Sequence, residues 1–211
     1  LYASAEESEG QIALRAKRLN VLSSNIHLSS ENRIDEILNQ VFLLKPQLLI
    51  IDSIQTIFSE NSDSLPGSVS QIRECGQKLL QLAKEEKIAI LVIGHVTKEG
   101  VIAGPKMLEH MVDTVLYLEG DERNDHRILR SVKNRFGTTN EVGIFQMTTF
   151  GLEEVTNPSE LFLAERRNDI TGSTIFPSLE GTRPILVEIQ SLVSNANFSA
   201  PQRNVNGFDF K

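Results

Sequence analysis

Apolar positions along this chain come in two patterns: short unbroken runs and longer stretches with helical spacing. Leu48-Leu49-Ile50-Ile51, closed by Asp52, has no helical period and predicts a central parallel strand covered on both faces. Ile88–His95 is a second such run, again ending in a polar group. Between them, Ser68–Glu86 reads as a helix with Val69, Ile72, Leu79, Leu80, Leu82 and Ala83 buried. Upstream, Leu1–Ser4 and Asn20–Asn25 read as short strands and Gln11–Leu19 as an amphipathic helix. Arg33–Leu44 reads as a second helix, capped by Ser29 or Ser30.

Polar, Gly- and Pro-bearing stretches mark loops at Phe58–Gly67 and Val96–Lys106, followed by a short helix around Met107–Met111. Asp113–Leu118, His126–Arg135 and Glu141–Met147 then read as strands of a meander. Alternating strands and helices followed by clustered strands predict an α/β domain with a mostly parallel sheet and an antiparallel extension. The pattern loosens after Gly151. Gly172–Phe176 and Ile185–Val193 read as strands around a turn-rich Glu180–Pro184. The expected organisation is a core over 1–155, a linker over 156–171, and the start of a second domain over 172–211. No internal repeat is apparent.

Composition narrows the function classes. The chain has 211 residues, is 40% hydrophobic, and carries a net charge of −7. Nucleic-acid binding would therefore rest on local basic loops. Its one cysteine, Cys75, excludes an intrachain disulfide and a multi-cysteine zinc site, which fits a cytoplasmic location. No apolar stretch is long enough to cross a membrane as a helix. The chain does not begin with Met and opens in mid-strand, so it reads as an internal fragment of a longer protein.

Three expected strands end in polar side chains: Glu6 with Glu7, Asp52, and His95. In a parallel sheet these tips share the edge where ligands bind. Asp52 after an apolar run has two readings: a carboxylate for Mg²⁺ on a nucleotide's phosphates, or the start of a turn. The same groups could ligate the metal of a hydrolase, although His27, His95, His110 and His126 lack metal-site spacing. Lys133 and Arg135 stand two apart, so in an extended segment both could reach one anion, or both could be solvated edge charges. Ser8 and Ser53 lack a Gly-x-Ser-x-Gly context, and Asp52-Ser53 reads as metal ligand plus packing. No Gly-x-x-x-x-Gly-Lys-Ser/Thr loop occurs in the chain. From the residues alone, this is half a nucleotide site.

Lys133-Asn134-Arg135-Phe136-Gly137 resembles the signature of the bacterial RadA (Sms) DNA repair and recombination family. Ser4-Ala5-Glu6-Glu7-Ser8, Ile51–Thr56, Pro66–Val69, Gly94–Gly100, Leu108–Asp113, Asn157–Glu160 and Glu180–Pro184 resemble further family stretches, in order. The resemblance implies a RecA-like ATPase core, here without its P-loop and N-terminal zinc module, followed by the beginning of a Lon-protease-like domain. It also implies a homohexamer that uses ATP and Mg²⁺ to drive branch migration on single-stranded and branched DNA beside a RecA-type recombinase. Zinc would belong only to the absent module, and no membrane is involved.

By the same resemblance, Glu6 would activate water, Asp52 with Ser53 would hold the Mg²⁺–nucleotide, and His95 would occupy a sensor position. Lys133 and Arg135 would act on a neighbouring subunit's ATP. Phe58–Gly67 and Val96–Lys106 would be DNA-facing loops, with Lys98, Lys106 and Arg73 as phosphate contacts. Ala5 stands where the family has Gly, which stiffens that turn. Without a P-loop, the fragment alone is expected neither to bind ATP tightly nor to turn it over. The runner-up reading is a non-catalytic DNA-binding or ring-assembly protein on a RecA-like scaffold. A clock-type or signalling ATPase sharing the core is a more distant reading.

Overall fold

The computed structural model describes residues 1–95, 103–120, 125–163, 166, 171–195 and 204–207. Leu1–Val155 forms one unit and Thr156–Lys211 a second. Lys98 lies outside the described residues.

The first unit is built on a four-stranded parallel sheet in the order β2-β1-β3-β4. Its strands are β1 (Tyr2–Ser4), β2 (Leu28–Ser29), β3 (Leu48–Asp52) and β4 (Ala89–Ile93). Its helices are α1 (Glu9–Arg18), α2 (Ile34–Leu44) and α3 (Val69–Glu86). β3 is interior, as its apolar run predicts. Leu49 and Ile51 point to one face and pack in a buried cluster with Ile37, Val41, Ile72 and Leu79. Burying each of these side chains contributes roughly 1.5–3 kcal/mol.

Among the described residues the other face is only partly covered, contrary to expectation. Leu48 is 42% and Leu91 46% exposed. On this side Tyr2, Leu48 and Ile50 line an open hollow of about 720 Å³ with Ile12 and Ala16 of α1. α1 buries only Ile12, so among the described residues one helix edge faces three strands.

Other expectations shift for local reasons. Asn20–Asn25 is not a strand: Asn20 takes a left-handed φ of 55°, Val21 and Leu22 stay exposed, and pairing begins at Leu28. α2 has Arg33 as its N-cap with no side-chain cap, while Ser29 Oγ accepts from Glu31 N. Ser68 caps α3 through Gln71 N at 3.4 Å. Ser8 caps α1 in a reciprocal box with Gln11.

The helix expected at Met107 starts earlier, as α4 (Ala103–Met111). Pro105 is tolerated there because first-turn N–H groups have no intrahelical acceptor. α4 packs closely on α3 at Gly76, where a Cβ would sit 2.6 Å from Leu108 Cδ2. β5 (Thr114–Gly120), β6 (His126–Asn134), β7 (Val142–Thr148) and β8 (Gly151–Glu154) form the antiparallel meander.

The second unit holds α5 (Pro158–Leu163) and a hairpin of β9 (Ser173–Glu180) and β10 (Arg183–Gln190). The turn is only Gly181-Thr182, with Gly181 at φ 64°, where a side chain would be strained. Asn157 Oδ1 accepts from Glu160 N to start α5, and Ser159 Oγ accepts from Leu186 N.

Candidate functional site

Three chain segments end side by side at the C-terminal edge of the parallel sheet. Ser4 of β1 lies opposite Asp52 of β3, and Asp52 opposite Ile93 of β4. Glu6 and His95 each follow their strand by two residues. Ligand atoms of Glu6, Asp52 and His95 come within 4.8 Å of one another. These are the polar strand tips that the sequence sets at one edge.

Hydrogen bonds fix the group. Ser53, fully buried, donates from Oγ to Glu6 Oε1 at 2.6 Å. His95 Nε2 stands 3.3 Å from the same oxygen. The phenol of Tyr2 donates to Asp52 Oδ2. Burial, then the hydrogen bond to Asp52 and the charge of its carboxylate, push the Tyr2 phenol well above its usual range, so it remains a neutral donor. Glu6 Oε2 and Asp52 Oδ1 receive no hydrogen bond among the described residues. The Asp52–Ser53 peptide is cis. Beyond it, Thr56 Oγ1 donates to Ser53 O at 2.8 Å, and Gln55 Nε2 donates to His95 O at 2.8 Å. The loop after β3 thus holds both neighbouring segments in place.

Two open carboxylate oxygens and an imidazole this close fit a hard divalent cation, directly or through water. Asp52 is half-buried, whereas Glu6 and His95 are exposed, so the edge is open to a ligand from solvent.

Lys133 and Arg135 do not reach one shared anion. Lys133 Nζ donates to Glu109 O at 2.6 Å and Val112 O at 2.7 Å, the carbonyls at the end of α4. Arg135 NH1 pairs with Asp113 Oδ1 at 2.9 Å, both half-exposed. The turn beyond β6 is held by Asn134 Oδ1, which accepts from Phe136 N at 3.1 Å, leaving Phe136 83% exposed. Lys106 is exposed on α4 rather than in a loop, and Arg73 is exposed on α3.

The polar Ser59–Ser64 stretch is held from within. Gln71, buried in α3, accepts from Ser59 N at 2.9 Å and shares its two amide hydrogens among Ser59 O, Ser62 O and Ser64 O. Sequence reasoning missed Tyr2 and Gln71. Their only signal was a polar tip within an otherwise apolar face.

The chain is similar to curated bacterial proteins named DNA repair protein RadA. It is 54% identical to that of Streptococcus pneumoniae over 210 residues, covering 100% of this chain and 50% of that protein. It is 53% identical to that of Listeria monocytogenes over 210 residues, covering 100% of this chain and 46% of that protein. The chain therefore spans about half the length of the curated relatives it matches. No protein-family model matches it.

Among solved structures it is similar to the RadB recombinase, with a TM-score of 0.50, 19% identity, and coverage of 73% of this chain and 77% of that one. A KaiC-like protein from Pyrococcus horikoshii gives a TM-score of 0.52 at 16% identity, covering 73% and 75%. The fold of the parallel unit is RecA-like.

Proposed function

Across the half of its relatives' length that it spans, the chain belongs to the family of the bacterial DNA repair protein RadA, and from that premise we propose that it carries the ATP-hydrolysing edge of a DNA-translocating repair and recombination motor. The observation that carries this reading is the meeting of Glu6, Asp52 and His95 at the ligand edge of a RecA-like sheet. Phosphoryl transfer depends on positioning and electrostatics more than on covalent chemistry, and such an edge supplies both.

Each residue has a role in this reading. Glu6, turned by Ser53 and His95 through Oε1, presents Oε2 to the attacking water and takes its proton. Asp52 Oδ1, with buried Ser53 behind it, would hold Mg²⁺, whose charge would offset that of the nucleotide's phosphates. His95, exposed beside Glu6, senses whether the γ-phosphate is present and passes that state through Gln55 to the loop after β3. Arg135 reaches the ATP of a neighbouring copy in a homohexamer. Lys133 does so only by exchanging two helix carbonyls for phosphate oxygens.

Lys98, Lys106 and Arg73 contact the phosphates of single-stranded or branched DNA, a few cations per subunit repeated round the ring. A RecA-type recombinase is the working partner, in the cytoplasm, and the second unit opens a Lon-protease-like domain used as scaffold. The test is ATP hydrolysis by the full-length protein with and without single-stranded DNA. DNA-stimulated turnover that Asp52→Asn abolishes supports the motor. DNA binding with no turnover supports a non-catalytic scaffold instead.

A further inference from the structure

Each carboxylate at the sheet edge is held at one oxygen and open at the other. For Glu6 the holding groups come from the loop after β3 and the end of β4. For Asp52 the single holding group among the described residues is Tyr2, on the neighbouring strand. Tyr2 lies opposite Ile50 in the parallel register, two residues short of Asp52. Two strand residues span roughly 6.5 Å, about the reach of a tyrosine side chain laid along the sheet.

The backbone of β1 is fixed on both sides, so the phenol is aimed rather than loosely draped. Tyr2 N donates to His27 O at 2.9 Å, Ile50 N donates to Leu1 O at 2.9 Å, and the ring lies in the hollow beside Ile50. Asp52, in contrast, is the last residue of its strand and has two rotatable side-chain bonds.

We propose that Tyr2 is a positioning residue for the metal: by engaging Asp52 Oδ2 it leaves Oδ1 as the one oxygen offered to a divalent cation or its water. The proposal rests on the Mg²⁺–nucleotide reading of this edge and adds a residue that reading does not contain. Removing the phenol oxygen frees the carboxylate to rotate away from the cation, so metal affinity falls. Glu6 and its Ser53 donor are untouched, so the chemistry at saturating metal survives.

The experiment is a Mn²⁺ titration followed by electron paramagnetic resonance, on the full-length wild-type protein and its Tyr2→Phe and Asp52→Asn variants. It is paired with the Mg²⁺ dependence of ATP hydrolysis. Tyr2→Phe should raise the Mn²⁺ dissociation constant and the half-maximal Mg²⁺ concentration about tenfold, the lower end for groups that orient a metal ligand. Its kcat at saturating Mg²⁺ should stay within about threefold of wild type. Tyr2→Phe with wild-type Mn²⁺ affinity overturns the proposal, whatever its effect on the melting temperature. Asp52→Asn that still binds Mn²⁺ with wild-type affinity, or a wild-type protein that binds none, overturns the metal reading of the edge as well.

Discussion

Ser53 Oγ donates to Glu6 Oε1 at 2.6 Å, joining two residues 47 positions apart in the chain. Ser53 is fully buried and directly follows Asp52, so in the proposed site one dipeptide would supply the metal carboxylate and the group that orients the water-activating one. Ser53→Ala should lower kcat for ATP by roughly 10- to 100-fold, as misplacement of a reacting group by about an ångström does. It should leave KM for ATP close to wild type and change stability by only about 1 kcal/mol. Steady-state kinetics beside urea unfolding separate the two effects, and an unchanged kcat would show that Glu6 needs no such support.

Lys133 acts on α4 before it acts on anything else. Its ammonium meets two carbonyls at a helix C-terminus, where positive charge and donors are both favourable. Lys133→Met should destabilise the free protein by about 1–2 kcal/mol and speed hydrogen exchange of α4 amides, with Lys133→Arg restoring part of the loss. A lysine acting only on a neighbour's phosphates would leave exchange in the isolated subunit unchanged.

Gln71 holds the Ser59–Ser64 stretch by both ends of its amide. Gln71→Leu keeps the size but leaves the buried Ser59 N–H without its acceptor, at about 2–3 kcal/mol. Cys75, one turn along α3, reports the opening. Its thiol is fully buried and pushed up to about 12 by that burial, so it should resist a thiol reagent at pH 8 in the wild type. Labelling should be markedly faster in the variant. Equal rates would show that Gln71 does not brace this region.

Glu31 gives the loop before α2 a defined acid sensitivity. A side-chain hydrogen bond from Arg33, with backbone N–H groups of Arg33 and Asn32, holds its carboxyl down to about 2. An unfolded glutamate titrates at about 4.3. Between these values the unfolded chain binds more protons, so stability rises with pH there. The contribution is fully present above about pH 4.3 and is lost as pH falls toward 2. Wild type should therefore exceed Glu31→Gln in urea midpoint at pH 6, and the gap should narrow steadily as pH falls from about 4 toward 2. A gap independent of pH would assign the effect to shape rather than charge.

The parts of this fold written in local pattern could be read from the chain. Leu48–Asp52 shows its strand by unbroken aliphatic residues, and α3 shows its start by Ser68 and its face by the spacing of Ile72, Leu79 and Leu82, although Val69 is exposed. Glu6, Asp52 and His95 could be brought together because C-terminal tips of parallel strands share an edge.

What depended on partners was hidden. Val21 and Leu22 look like a strand, but a strand exists only where a neighbour pairs with it, and pairing waits until Leu28. Asn157-Pro158-Ser159-Glu160 holds a helix start that is too short to show a period. Lys133 and Arg135 share a spacing, yet one finds a helix end and the other an aspartate, which spacing cannot encode. Tyr2 reaches Asp52 only through the β1–β3 register.

In the proposed mechanism Glu6 has the role of activating water at an ATP site completed by Asp52 and His95. Single-turnover hydrolysis of radiolabelled ATP by the full-length protein, wild type against Glu6→Gln, tests it most directly when nucleotide binding is measured in parallel. ATP binding should stay within about threefold of wild type, and hydrolysis should slow by about two to four orders of magnitude, the range for a positioned general base. Hydrolysis by Glu6→Gln at the wild-type rate would contradict it.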